Sequence, residues 1–349
     1  MDTKIIVTIG PKSEDYAAIK AMAENGANMF RLNFSHASCE QYHKVKKNID
    51  KVAKELKKDL KILFDLQGPR IRVGKLEKEI SMKEGEIYTF MYNAGDAEKM
   101  EIPIDDADLI KDLKVADPFF LDSGKIELVI TEINLKECKF MAKVERAGIL
   151  FPRKGINVPK TVLNRNILTK KDLTDIEFAK EVKPDFIAVS FVQNANDILQ
   201  VKKKLNNDAI KVISKIEREI ALENIDSIIR VSDCIMIARG DLGIEIPLED
   251  LPIVQKNLIR HAHWHNKPAI VATQMMTSMI DHYRPTRAEV SDVANAIFDG
   301  ADALMLSDET AAGSYPIETV TIMNRIINRT NQYFNHRNYF EGLEIIYKK

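Results

Sequence analysis

The chain is poor in cysteine: Cys39, Cys138 and Cys234 are the only three in 349 residues, and no two have a CxxC spacing. That excludes a disulfide framework and a structural zinc knuckle, and it points to a reducing compartment. Net charge is nearly absent, at −1 at pH 7. A nucleic-acid or acidic-membrane partner therefore has no electrostatic support, and any phosphate binding must be local. No apolar run approaches the roughly 18 residues of a membrane span. Met1-Asp-Thr-Lys-Ile-Ile-Val-Thr8 enters a strand pattern at once, without the charged and then long apolar stretch of a leader peptide. Repeats of solenoid period and low-complexity tracts are also missing. A soluble cytoplasmic protein is expected, with no membrane and no nucleic-acid partner.

What the sequence does contain is a series of short apolar runs, each closed by polar residues. Val212-Ile213 leads to Lys215-Ile-Glu217, and Cys234-Ile-Met-Ile237 leads to Ala238-Arg-Gly-Asp-Leu-Gly243. Ala269-Ile-Val-Ala272 leads to Thr273-Gln-Met275, and Ala303-Leu-Met-Leu306 leads to Ser307-Asp-Glu-Thr310. Each run reads as a buried parallel strand followed by a helical pattern. Eight such strands are expected, at 4–9, 28–33, 61–65, 185–190, 211–217, 233–237, 268–273 and 302–307. Helices are expected at 13–25, 38–60, 169–181, 194–205 and 217–231, with starts at Ser13 and at Thr169-Lys-Lys-Asp172. The fold class is α/β, a (β/α)8 barrel, for which about 250 residues suffice.

The gap after the third strand is too long for one helix. It holds β-like runs at 80–82, 87–92, 125–133 and 139–144, with turns at Asn93-Ala-Gly95 and Asp122-Ser-Gly124. A small all-β lid inserted over residues 71–157 is expected, flanked by hinge material at Gly68-Pro69 and Gly155 to Pro159. The barrel then comprises 1–70 and 158–330, and 331–349 forms a C-terminal tail.

In such a barrel the C-terminal ends of the strands form one face, and chemistry belongs there. Lys215 and Glu217 are two apart on a strand, so both side chains leave the same face. A structural ion pair is the bland reading. Asp241 on the next loop favours a site, because two carboxylates plus substrate oxygens are a common way to hold Mg²⁺. Arg31 and Asn33 repeat the spacing on the second strand, before Phe34-Ser-His36, and Arg72 follows the third. Either arginine alone is more often a surface residue; together they can clamp phosphate oxygens. Gly240-Asp241-Leu242-Gly243 reads as a tight turn or as an anion-binding helix start. His261-Ala-His-Trp-His265 is not a metal cluster: His263 points away from the other two, and the segment ends a helix far from the rim.

These segments together resemble the pyruvate kinase family. The resemblance runs from Thr3-Lys-Ile-Ile-Val-Thr-Ile-Gly-Pro11 through Arg31-Leu-Asn-Phe-Ser-His36 and Asp65-Leu-Gln-Gly-Pro69. It continues through Ile213-Ser-Lys-Ile-Glu217 and Ala238-Arg-Gly-Asp-Leu-Gly-Ile-Glu245 to Arg284-Pro-Thr-Arg-Ala-Glu289. In the insert it is carried mainly by Arg153-Lys-Gly-Ile-Asn-Val-Pro159.

The resemblance implies phosphoryl transfer from phosphoenolpyruvate to ADP, giving pyruvate and ATP in glycolysis, with Mg²⁺ or Mn²⁺. It implies that Glu217 and Asp241 hold the divalent ion and that Lys215 stabilises the moving phosphoryl group. Gly240, Asp241 and Thr273 would receive the substrate carboxylate. Arg31, Asn33, His36, Arg72 and Lys154 would face nucleotide or phosphoryl oxygens. Ser307 and Glu309 would lie near the proton route to the enolate. A homo-oligomer formed through the barrel is expected.

The sequence also departs from the family pattern. Relatives usually carry a further C-terminal domain with a sugar-phosphate effector site; this sequence ends at Tyr347-Lys-Lys349, and no sugar-phosphate activation is expected of it. Ser123 replaces a second acidic residue in the lid turn. Asp308 replaces a common glycine, tolerable if that position needs positive φ. In relatives that need K⁺, a pocket matching Asn33, Ser35 and Asp65 holds it. Here Arg70 stands where they carry glutamate, so its charge would substitute and K⁺ would not be required. Competing readings are a carbon–carbon lyase of the phosphoenolpyruvate/pyruvate barrel group and a non-catalytic phosphoenolpyruvate-binding regulator. The insert and Lys215 oppose the first; the full set Arg31, Lys215, Glu217, Asp241 and Thr273 opposes the second.

Overall fold

The computed structural model describes residues 3–335, apart from residues 94 and 165. Eight parallel strands close into a barrel. They are β1 (Lys4–Thr8), β2 (Ala27–Asn33), β3 (Lys61–Asp65), β12 (Phe186–Val189), β13 (Lys211–Ile216), β14 (Cys234–Ala238), β15 (Ala269–Ala272) and β16 (Ala303–Leu306). The order around the barrel is β1-β16-β15-β14-β13-β12-β3-β2, so each strand lies beside its neighbour in the chain and β16 closes on β1. All eight fall where the apolar runs predict a (β/α)8 barrel.

The pleat explains both cores. Ile6, Leu63, Ala188, Ile213, Met236, Ile270 and Met305 form one buried cluster inside the barrel. Their strand neighbours Val7, Phe64, Val189, Val212, Ile237, Val271 and Leu306 belong to a second cluster under the helices. Such alternation is what strands covered on both faces require. It also fixes the site: Thr8, Arg31, Asp65, Ser190 and Lys215 are two residues beyond inward-facing Ile6, Met29, Leu63, Ala188 and Ile213. They therefore point inward at the C-terminal mouth.

Helices fill the gaps. Thr169–Asp172, Asn194–Asp197 and Thr286–Glu289 each form a reciprocal capping box at the start of a helix. The first helix, Tyr16–Glu24, starts elsewhere than expected: Asp15 caps it, while the Ser13 hydroxyl accepts the Gly10 N–H in the preceding turn. The helix expected over 217–231 is two short ones, Glu219–Glu223 and Ile225–Val231. Asn224, whose side-chain amide donates to Gln193 O and Ile220 O, separates them. The last helix, Pro316–Asn335, runs past the expected barrel end at 330, and the remainder of the expected tail, 336–349, lies outside the described residues.

Between β3 and β12 the chain builds its own sheets. Strands β4 (Ile80–Met82) and β10 (Gly148–Leu150) pair with each other. A six-stranded sheet holds β5 (Ile87–Tyr92), β6 (Glu101–Ile104), β7 (Pro118–Leu121), β8 (Ile126–Asn134), β9 (Lys139–Arg146) and β11 (Ile156–Asn157), in the order β11-β7-β8-β9-β5-β6. Four β-like runs were expected; β6, β7, β10 and β11 are additional. They are two to four residues long, too short to show a period. Phe90, Phe119 and Phe140 anchor a separate core, with ring centroids 4.8–5.1 Å apart. Each such pair contributes about 0.5–1.5 kcal/mol beyond its buried area.

Candidate active site

The mouth of the barrel carries a buried chain of charges. Arg31 donates from Nε to Asp65 Oδ2 at 2.6 Å and from NH1 to Thr8 Oγ1 at 2.9 Å. Lys215 Nζ lies 2.8 Å from Glu217 Oε1 and 3.5 Å from Asp65 Oδ1, and it donates to Ser190 Oγ at 2.7 Å. Glu217 Oε2 accepts the Phe191 N–H at 2.7 Å. Asp65, Lys215 and Glu217 are all buried, and charges in such a setting persist only when paired.

The electrostatics follow. Burial opposes the Asp65 carboxylate, but the Lys215 and Arg31 cations outweigh it and hold its pKa below the usual range. Burial likewise opposes the Lys215 ammonium, and Asp65 and Glu217 more than offset this, so its pKa is raised. Glu217 is raised, first by burial and further by Asp241, against the pull of Lys215. Asp241 is therefore close enough to repel a second carboxylate.

Asp241 lies in the short helix Arg239–Glu245 directly after β14. Gly240 N–H donates to Thr273 Oγ1 at 2.6 Å, and that hydroxyl donates to Ala272 O at 2.6 Å. Thr273 and Gln274 have φ of 70° and 55°, a left-handed conformation costly for a β-branched residue and typical of functional turns. Arg239 holds it: NH2 donates to Thr273 O at 2.8 Å while the guanidinium grips both Asp292 oxygens at 2.7 and 2.8 Å. Glu309 is buried, and its two oxygens accept Met276 N–H and Ser307 N–H. Ser307 is thereby fixed above β16. Asp308 opens the helix Asp308–Ala311 and is not among the residues of positive φ, so the position does not call for glycine.

On the outer side of the mouth, a cleft of about 230 Å³ lies between barrel and insert. Arg70, Arg72, Lys154 and Asp241 are among its walls. Arg72 donates from NH1 to Arg153 O, and Lys154 pairs with Asp122 at 2.9 Å. Asp122, Ser123 and Gly124 form a turn of consecutive positive φ. His36 is exposed on the loop after β2, and Asn33 Oδ1 accepts the Ser35 N–H at 3.1 Å. The histidines of the 261–265 segment end the helix Leu251–Trp264, where His263 and His265 pair with Asp302 and Asp226.

Asp65 Oδ1 and Glu217 Oε1 make no hydrogen bond of good geometry, although each faces Lys215. Among the described residues, no group of three or more His, Cys, Asp or Glu can hold a metal ion. Glu217 and Asp241 thus offer two carboxylates, and any divalent ion there must complete its oxygen shell from substrate and water, as Mg²⁺ commonly does.

Residues 1–320 match the family described as "Pyruvate kinase, barrel domain". The chain belongs to the pyruvate kinase family. It is 44% identical over 341 residues to a pyruvate kinase of Bacillus licheniformis, covering 96% of this chain and 58% of that one. To a pyruvate kinase of Thermotoga maritima it is 43% identical over 328 residues, covering 93% of this chain and 70% of that one. A crystal structure of a pyruvate kinase from Cryptosporidium parvum superposes with a TM-score of 0.89 at 36% identity, covering 95% of this chain and 69% of that one. The chain therefore spans just under three-fifths of the Bacillus relative's length. Neither the lyase nor the regulator reading is favoured by these relatives.

Against this family frame, four residues escaped sequence reasoning. Ser190 anchors Lys215, Arg239 and Asp292 fix the Thr273 turn, and Arg218 occupies the cleft wall beside Asp241. Arg218 and Arg239 directly adjoin Glu217 and Gly240 in the sequence, and that adjacency was the available signal.

Proposed function

We propose that the protein transfers the phosphoryl group of phosphoenolpyruvate to ADP, giving pyruvate and ATP, with a divalent ion, Mg²⁺ or Mn²⁺. The observation that carries this reading is the Lys215 ammonium, buried between Asp65 and Glu217 on the rim, with Asp241 close by. Phosphoryl transfer needs positioning and charge neutralisation more than covalent help. Lys215, kept charged by its two carboxylates, would neutralise the moving phosphoryl oxygens. Gly240, Asp241 and Thr273 would seat the substrate carboxylate, and the Thr273 hydroxyl would turn from Ala272 O toward it. Arg31, Asn33, His36, Arg72 and Lys154 would face the nucleotide and phosphoryl oxygens. The P–O bond of the enol phosphate breaks as a bond forms to a terminal oxygen of the diphosphate. A proton then reaches the enolate carbon near Ser307, which Glu309 holds in place.

Glu217 and Asp241 would hold the divalent ion, which supplies charge neutralisation and orients substrate oxygens when bound. Arg70 is exposed, yet its charge helps depress the Asp65 carboxyl. That supports activity without K⁺, with Arg70 supplying charge near Asn33, Ser35 and Asp65. The insert, 71–157, would act as a lid over the cleft and exclude water. Assembly through the barrel and a cytoplasmic location complete the proposal; among the described residues no helix is long and apolar enough to cross a membrane.

One assay tests the core of this reading. Pyruvate formation from phosphoenolpyruvate and ADP with Mg²⁺, coupled to lactate dehydrogenase, is expected; no pyruvate above the enzyme-free rate would overturn it.

A further inference from the structure

The chain crosses between barrel and insert twice, and the two crossings are built differently. The outgoing one, at Gly68, has φ of 69°, and a Cβ there would lie 2.8 Å from Phe191 and 2.9 Å from Ser190. It leads to exposed Arg70. The returning one forms a turn in which Thr161 N–H donates to Val158 O at 3.2 Å. Val158 belongs to the core of the insert, and the Thr161 hydroxyl donates to Asp117 Oδ2 at 3.2 Å within it. The turn is therefore anchored in the insert.

Arg218 grips that turn. Its NH2 donates to Thr161 O at 2.8 Å and to Val158 O at 3.2 Å, while Nε donates to Glu245 Oε2 at 2.8 Å. Glu245 is the last residue of the helix Arg239–Glu245, which carries Gly240 and Asp241, and Arg218 follows Glu217 directly. Both side chains are at most 5% exposed. Gln193 also holds the returning chain, by two bonds to Leu163, but among the described contacts only Arg218 joins the turn to the rim helix. A planar fork with several donors can serve three acceptors on two elements, the turn and the rim helix, at once; a lysine cannot keep that geometry. A buried ion pair is a poor way to gain stability, since apolar residues do as well or better. Retention of one here fits a task in specifying geometry.

We infer that Arg218 is a positioning residue that ties the returning hinge of the insert to the helix bearing Gly240 and Asp241. Movement of the insert and placement of the rim carboxylates then share one guanidinium. Only the kinetic consequence rests on the phosphoryl-transfer reading.

The test compares the wild type, Arg218→Lys, and the double variant Arg218→Met with Glu245→Leu, which removes both members of the buried ion pair together. Amide hydrogen exchange is read in peptides covering 156–164, 239–246 and, as reference, β1. In the double variant, exchange is expected to rise about tenfold or more in the first two peptides, as for a lost charge-assisted bond, and to stay unchanged in β1. Arg218→Lys should protect 239–246 but not 156–164. If the wild type turns over phosphoenolpyruvate, the half-saturating concentration should rise in the double variant and be partly restored in Arg218→Lys. Unchanged exchange at either peptide, or a rise spread equally over β1, overturns the inference. A wild type without turnover defeats the phosphoryl-transfer reading alone, because the exchange data still decide this one.

Discussion

Lys215 Nζ sits 2.8 Å from Glu217 Oε1, two residues along the same chain segment, with both side chains buried at the mouth of the barrel. The pair is not isolated: Asp65 Oδ1, 3.5 Å away, and the Ser190 hydroxyl complete the surroundings of the ammonium. A lysine in this position has its charge sustained by one carboxylate at the end of its own strand and one at the end of β3.

Lys215→Met is expected to reduce phosphoryl transfer by about 10²–10³-fold or more, the usual cost of removing one preorganised charge stabiliser. Secondary structure should persist, because Arg31 still pairs with Asp65. The melting temperature should fall, because Glu217 loses its cation in a buried site. Circular dichroism, a thermal melt and the coupled assay check all three. Turnover within a few-fold of wild type would remove Lys215 from the chemistry.

Glu217→Gln and Asp241→Asn should each raise the half-saturating Mg²⁺ or Mn²⁺ concentration, by about tenfold or more for loss of one carboxylate ligand. With no cluster of three or more ligating groups among the described residues, the remaining carboxylate cannot compensate. Titration of activity against metal, and direct Mn²⁺ binding by electron paramagnetic resonance, measure the shift. Unchanged metal dependence in both variants places the ion elsewhere.

The insert offers a spectroscopic prediction. Burial, reinforced by the hydrogen bond to Glu86, pushes the Tyr88 phenol from 10.0 up to about 12. The folded protein thus keeps a proton that the unfolded chain loses nearer pH 10. Tyr88 contributes stability in full below pH 10 and loses it as pH rises from 10 toward 12. Tyr88→Phe should flatten this alkaline decline and remove one late-titrating phenolate from the ultraviolet titration. A variant with the same alkaline profile would show that Tyr88 ionises normally.

How much of this was legible in the sequence depends on how long each element is. The barrel strands alternate between two apolar cores, so runs such as Cys234-Ile-Met-Ile237 announce themselves. The inward positions follow by counting in twos, which is why Arg31 and Lys215 could be assigned to one mouth, whereas Asp65 entered through the family resemblance alone. Strands β10 and β11 have three and two residues, set by pairing with distant partners, and nothing local marks them. The Arg239–Asp292 pair spans 53 positions and the Arg218–Thr161 bond 57, so neither leaves a spacing signal. The Ser13 start failed for a different reason: two capping residues compete within three positions, and the Gly10 turn takes the serine.

The last prediction concerns Arg70. Its guanidinium is exposed on the cleft wall, and it is the weakest of the cationic influences that depress the Asp65 carboxyl, after Lys215 and Arg31. A guanidinium stays charged at every working pH, so it can supply permanently what a bound monovalent cation would supply on demand. The wild type is expected to work at full rate in tetramethylammonium buffer, with no gain from KCl. Arg70→Glu should depress that rate about tenfold or more, as removal of a preorganised charge does, and KCl should restore part of it. Ionic strength must be held constant, because screening alone alters the binding of charged substrates. Asp65, held by Arg31 and Lys215 whichever residue stands at 70, keeps the rest of the network in place. A wild type that is nearly inactive until K⁺ is added would show that Arg70 does not substitute for the ion. An Arg70→Glu variant equally active with and without K⁺ would show that its charge does not matter.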